Sequence, residues 1–294
     1  MSNQAALVLG GGGANGSFQA AVVQTLEGLG WSWTSVDGTS VGALNGAKVA
    51  AEKTPELHAL WYGIKGNSDI YKPRSAVSLG WRFLKRKLGL GGSDVGLASA
   101  KPLESLVERE LWGDLHVLPA NVFWVDMQSG RLEFGPPTPS NVLRSSRLPG
   151  WELYDGSTDG GIRETIPLGN AVKRESTRAV IVVMCSPIEP EPAPLPKNEL
   201  EYVGRLVAIA GNEIAQNDIQ SVVRLNNIVK WTEEFKVPSP RSESGRAYKY
   251  VPIAVIAPEH SLGSGTDFSP AEIRRKWKLG EQAAVKWHQN PVQQ

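Results

Sequence analysis

Gly38-Thr39-Ser40-Val41-Gly42 fits the pattern G-x-S-x-G, in which a serine on a tight strand-to-helix turn projects its hydroxyl as a nucleophile. Gly38 and Gly42 remove side chains that would crowd such a turn, and the helix behind it offers amide donors and a positive dipole end. A second feature, Gly10-Gly11-Gly12-Gly13-Ala14-Asn15-Gly16, lies upstream. A glycine run can aim backbone N–H groups at the oxyanion of a tetrahedral intermediate, where losing one donor costs about 2.7–4 kcal/mol. The same composition can cradle a phosphate. A dinucleotide site needs an acid about 20 positions further on, and Asp37 falls near that distance from Gly16. Asp37 also abuts the G-x-S-x-G turn, which a nucleotide-binding reading leaves unexplained. A Walker-type loop is excluded, because no Gly-Lys-Ser/Thr follows the glycines.

A serine nucleophile needs a base, most often histidine. The chain has four: His58, His116, His260 and His288. His260, in Pro258-Glu259-His260 after an apolar run, has the best setting of the four, yet none is persuasive. Asp159-Gly160-Gly161 is the third feature, an aspartate whose glycine neighbours permit close approach. It suits a Ser-Asp dyad better. An ordinary aspartate titrates near about 3.9, so service as a base at neutral pH calls for partial burial that raises this value.

The elements that must position these groups alternate between strand and helix. Ala5 to Leu9 is a short apolar run fit for a strand buried on both faces, and Phe18, Val22, Leu26 and Leu29 recur at helical spacing before Gly28 and Gly30. Trp31 to Val36 is extended, and Ala43 to Ala50 reads as a helix of small residues. Asn121 to Val125 and Arg131 to Phe134 form a hairpin across Ser129-Gly130. Arg178 to Cys185 is the most apolar strand, and a central place in the sheet is expected for it. Five prolines between Pro187 and Pro196 mark an extended connector. A long helix spans Gly204 to Val229, then a strand Tyr250 to Ala257 and a helix Pro270 to Ala284. This order predicts an α/β fold with a mainly parallel sheet in a single domain, residues 1–294, with a core over about 5–284 and a tail at 285–294.

Composition narrows the function further. With 21% charged and 41% hydrophobic residues the chain is an ordinary globular protein, and a formal net charge of +1 gives no global field for nucleic acid. The lone Cys185 rules out an internal disulfide and a cysteine-rich metal site, and its apolar surroundings suit a buried structural thiol. No stretch of about 18 apolar residues is present to span a membrane. No signal peptide is seen, so a cytoplasmic protein is expected, with peripheral membrane contact left open. Trp81 to Leu90 is basic and apolar together, with Trp61 and Tyr62 upstream. It suits either a surface resting on an anionic membrane or a solvated helix whose apolar face covers the core.

Taken in order, the glycine loop, Gly38 to Gly42 and Asp159-Gly160-Gly161 resemble the patatin-like phospholipase family. Val125 to Gly130, Arg144 to Gly150, Pro167 to Ala171, Ile256 to Pro258 and Asp267 to Ser269 also resemble its segments, so the likeness runs from Leu7 to about Ala284. The resemblance implies a three-layer α/β/α sandwich and acyl-ester hydrolysis, commonly of phospholipids, without metal or other cofactor. It makes Ser40 the nucleophile, Asp159 the base, and Gly11, Gly12 and Gly13 the oxyanion donors. Asn15, Gly16, Gly38, Gly42, Gly160 and Gly161 are then supporting residues. One position departs: the family usually has Arg or Lys where this chain has Asn15. A weakly active lipid-binding member and, further off, a nucleotide-binding α/β domain are the alternatives.

Overall fold

The computed structural model describes residues 3–90, 95–193, 195–197, 199–242 and 245–291, without the side chains at 86 and 199–201. The chain opens with β1 (Gln4–Leu9), a 3-10 turn at Gly13–Asn15 and α1 (Gly16–Gly28), then β2 (Ser32–Thr39) and α2 (Val41–Ala50). Next come α3 (Glu56–Gly63), β3 (Lys72–Pro73), α4 (Ala76–Lys87), β4 (Ala98–Ser99) and α5 (Lys101–Leu111). A hairpin of β5 (Ala120–Asp126) and β6 (Leu132–Gly135) leads to α6 (Pro139–Ser145) and β7 (Ser157–Asp159). The remainder is α7 (Leu168–Lys173), β8 (Val180–Val183), α8 (Glu199–Glu234), β9 (Ile253–Ile256) and α9 (Pro270–Gln289).

The main sheet runs in the order β6-β5-β2-β1-β8-β9, with β7 also paired to β5. Strands β5, β2, β1, β8 and β9 are parallel to their neighbours, while β6 and β7 join β5 antiparallel. Strand β1 shows why the centre is apolar on both sides. Leu7 and Leu9 enter the cluster with α1, α2 and α9, whereas Ala6 and Val8 enter a second cluster with α7 and α8. Helices cover both faces, giving the three-layer sandwich. The most apolar strand, β8, is flanked on both sides but stands one place from the edge rather than in the middle. The last helix runs on to Gln289, so the expected tail is helical through that point. Its Trp287 packs against Trp31 with ring centroids 5.2 Å apart. Among the described residues no helix is long and apolar enough to cross a membrane.

One charge lies inside this frame. Asp37, fully buried in β2, pairs with both terminal nitrogens of Arg174, the residue that ends α7, and accepts from Asn170. The pair ties β2 to the helix layer. Removing one partner strands a buried charge, which typically costs about 3–5 kcal/mol. Arg174→Met is expected to lower unfolding stability by that amount in urea, and Asp37→Asn added to it should recover more than half.

Candidate active site

Ser40 sits between β2 and α2 with φ 59° and ψ −126°, a left-handed conformation costly for any residue with a Cβ. The turn is fixed by close backbone crossings. A Cβ on Gly38 would lie 2.2 Å from Gly42 O, and one on Gly42 would lie 2.2 Å from Leu9 O. Two buried serines of the α6 end hold the main chain. The Ser40 N–H donates to Ser145 Oγ at 2.9 Å, and that hydroxyl donates to Phe123 O at 2.6 Å. Ser146 Oγ reaches Ser40 O at 3.5 Å. These contacts resist relaxation of the turn, so the Ser40 side chain stays projected.

Asp159 arrives by a separate route. Thr39, the last residue of β2, pairs with Phe123, and the next residue of β5, Trp124, pairs with Asp159. Ser40, one residue past the Thr39 rung, thus emerges next to the following rung, which Asp159 occupies. Asp159 N–H donates to Arg147 O at 2.8 Å, and its Oδ1 accepts from Gly161 N–H at 2.8 Å. Its Oδ2 is buried and makes no hydrogen bond among the described residues. Burial pushes the carboxyl up to about 6, and the nearby Ser40 hydroxyl and the Gly161 N–H limit the rise. The Ser40 hydroxyl, pointing at the carboxyl, favours its ionised form. A Cβ on Gly160 would lie 2.4 Å from Phe123 O, so the aspartate turn could not pack here with a larger residue.

The glycine loop lies over the same point. Gly11 lies against Ser40: a Cβ there would lie 3.2 Å from Ser40 Cβ. Its N–H is taken up by Thr165 O at 3.3 Å. The Gly12 and Gly13 N–H groups have no acceptor among the described residues. Gly12 rests on Cys185, whose thiol burial pushes up to about 12, leaving it inert at neutral pH. Asn15 Nδ2 donates to Cys185 O at 3.2 Å, and its Oδ1 is buried without a partner among the described residues. Gly16 packs against Val41 and Trp61, closing α1 onto α2 and α3.

None of the four histidines is bonded to Ser40. His260 is exposed and paired with Glu191 at 2.8 Å, His58 stacks on Tyr62, and His288 accepts from Trp31 Nε1. His116 is held below its ordinary pKa chiefly by burial. Asp37, the acid that a dinucleotide site would use, is buried and committed to Arg174. Among the described residues no three His, Cys, Asp or Glu side chains are grouped to hold a metal.

Several site residues had no individual signal in the sequence. Ser145 lies in the Arg144 to Gly150 segment but carries no signal of its own there. Arg147, wholly buried and paired with Glu104, braces Asp159 through its carbonyl. Thr165 Oγ1 donates to Gly161 O at 3.0 Å while its carbonyl holds Gly11, coupling the aspartate turn to the glycine loop. Behind it Asp218 of α8 accepts from Ile166 N–H at 3.0 Å, and burial pushes it up to about 6 and its neighbour Glu164 up to about 7.

A family model of patatin-like phospholipases matches residues 7–172, a span that takes in the glycine loop, the serine turn and the aspartate turn. The chain belongs to the patatin-like phospholipase family. That family membership and the flanked, mostly parallel sheet agree on a patatin fold. The match ends in α7, so β8, α8, β9 and α9 lie beyond it although β8 and β9 complete the sheet. No curated protein matches the sequence. Among solved structures, VipD from Legionella pneumophila is similar at 14% identity and a TM-score of 0.42, over 96% of this chain and 66% of that one. So loose a likeness adds nothing to the family assignment.

The buried carboxyl has a consequence for stability. Its folded pKa, about 6, lies above the ordinary 3.8. Ionisation is therefore harder in the fold than in the unfolded chain. The contribution of Asp159 is most favourable below the unfolded value and is lost as pH rises to about 6. Asp159→Asn removes that loss. The variant should be more stable than wild type at pH 8, by about 3 kcal/mol at most, with the gain vanishing near pH 4 in urea unfolding.

Proposed function

We propose that this patatin-like protein hydrolyses carboxylic esters of phospholipids or related lipids through a Ser40–Asp159 dyad. The observation that carries the reading is the meeting of a serine held in a left-handed turn with a buried aspartate whose Oδ2 is not taken up by any other group among the described residues. A carboxylate with an unused buried lone pair and a pKa raised to about 6 is suited to accept a proton at neutral pH.

In this mechanism Asp159 Oδ2 takes the proton from Ser40 Oγ as the hydroxyl attacks the ester carbonyl. The carbonyl oxygen becomes an oxyanion, for which the Gly12 and Gly13 N–H groups are the free donors. Gly11 joins them on release of its 3.3 Å bond to Thr165 O. Collapse of the tetrahedral intermediate breaks the acyl C–O bond, and Asp159 returns its proton to the leaving alcohol. Water then attacks the acyl-enzyme while Asp159 again accepts a proton; collapse breaks the bond between Ser40 Oγ and the acyl carbon, Asp159 returns the proton to Ser40 Oγ, and the fatty acid leaves. The site residues needed for these steps are Ser40, Asp159 and the glycine loop; Ser145, Thr165 and Arg147 position them.

The test is fatty-acid release from mixed phospholipid vesicles and hydrolysis of a short activated ester. Wild type should be active on both, and Ser40→Ala or Asp159→Asn should each lower the rate by at least about 1,000-fold. Because the base must be ionised, the wild-type rate should rise with pH through about 6 and level off above it. Silence of all three proteins on both substrates would instead favour a lipid-binding member, with Asn15 as the residue to restore to a cation.

A further inference from the structure

α4 is a helix that covers no core. Val77, Trp81 and Leu84, followed by Leu88 in the turn beyond, recur at i, i+4, i+7 and i+11 on one stripe, and they are 83%, 60%, 45% and 64% exposed. None of its described side chains is buried; only Ser78, Leu79 and Arg82 are half-covered on the opposite side. A solvated helix shielding the core would show the reverse. Trp61, by contrast, is a core residue, bonded to Asn45 and 1% exposed, and takes no part in this surface.

Charge and position both qualify the stripe. From Ile70 to Ser93 the chain carries Lys72, Arg74, Arg82, Lys85, Arg86 and Lys87 and no acidic residue, although the whole protein has a net charge of only +1; the Arg74 side chain is buried against Glu152, whereas Lys72, Lys85 and Lys87 are exposed. Lys85 Nζ lies 5.8 Å from the Trp81 ring centre and Lys87 Nζ 5.2 Å from that of Phe83, so ammonium groups flank the aromatic rings. The segment that precedes α4 is linked to the start of α8. Arg74 N–H bonds Leu97 O, and Leu97 N–H bonds Gly150 O; Gly150 in turn faces Val203 of α8. Eight residues along α8, about 12 Å, Gly211 touches Thr165, which holds Gly161 beside Asp159. Over that interval α8 exposes its own stripe, Tyr202, Leu206 and Ile209.

We propose that α4, together with the exposed first turns of α8, is an interfacial surface that seats this protein on anionic bilayers. The apolar stripe enters the acyl boundary while the lysines meet lipid phosphates, the pattern of a helix lying in the membrane plane. The proposal deepens the lipid-hydrolase reading and rests on it for its purpose, but its test is binding, which needs no turnover.

The Ser40→Ala protein, which leaves the lipid intact, is floated with vesicles of phosphatidylcholine alone or with roughly 30% phosphatidylglycerol. It should float with the anionic vesicles and remain behind with the neutral ones. Lys85→Gln with Lys87→Gln should raise the lipid concentration needed for half-binding by about fivefold per lysine. Trp81→Glu with Leu84→Glu should abolish flotation, while thermal unfolding stays unchanged because both side chains are exposed. The proposal is overturned if the parent protein does not float with anionic vesicles, or if either pair of substitutions leaves flotation intact. It is equally overturned if sedimentation finds a dimer that Trp81→Glu with Leu84→Glu makes monomeric, since a second copy then covers the stripe. Flotation by a wild-type protein that releases no fatty acid would support the surface and count against the hydrolase reading alone.

Discussion

One edge of β5 is shared by two strands, and the candidate site depends on that arrangement. β2 occupies it as far as Phe123 and stops, because the chain must turn into α2; β7 occupies it from Trp124 onward in the opposite direction. Backbone hydrogen bonding to a common strand fixes register, and a one-residue slip would turn every side chain to the other face. Ser40 and Asp159, 119 positions apart in sequence, are thereby held next to each other. Ser145 reinforces the junction from below, bonding Ser40 and Phe123 with the same hydroxyl.

The fold accepts unfavourable local terms at this junction and offsets them around it. Ser40 keeps a left-handed backbone, and Asp159 is desolvated. Each is costly alone. The surrounding β1, β2, β8, α1 and α2 are densely apolar, and the glycine crossings at Gly38, Gly42 and Gly160 let backbones approach too closely for the strain to relax. Asp37 shows the contrasting treatment of a buried acid: a guanidinium and an amide satisfy it, which suits a structural tie rather than proton transfer.

Stability and surface are divided between different parts of the chain. The middle of α8 buries Ala215, Ile219 and Val222 in the cluster that holds β8, whereas its first turns and all of α4 contribute little to either core cluster. Apolar residues there are free to serve an external phase, at the cost of solvent exposure when that phase is absent.

The sequence by itself determined the alternation of strands and helices, the serine turn, the glycine loop and the aspartate turn, because each is written in short-range periodicity or in glycines at fixed spacing. It also indicated that Asp159 should be buried if it is to work as a base. Tertiary structure alone decided which N–H groups of the loop are free. Gly11 is taken by Thr165, a contact across 154 positions that no local pattern announces. The same holds for Ser145, Arg147 and Asp218, which act through long-range hydrogen bonds, and for the place of β8 one strand from the edge. The 81–90 stretch marks the boundary most plainly. Its amphipathic spacing was legible, but whether the apolar stripe faced core or solvent depended on what packed against α4, and helical periodicity carries no information about the partner.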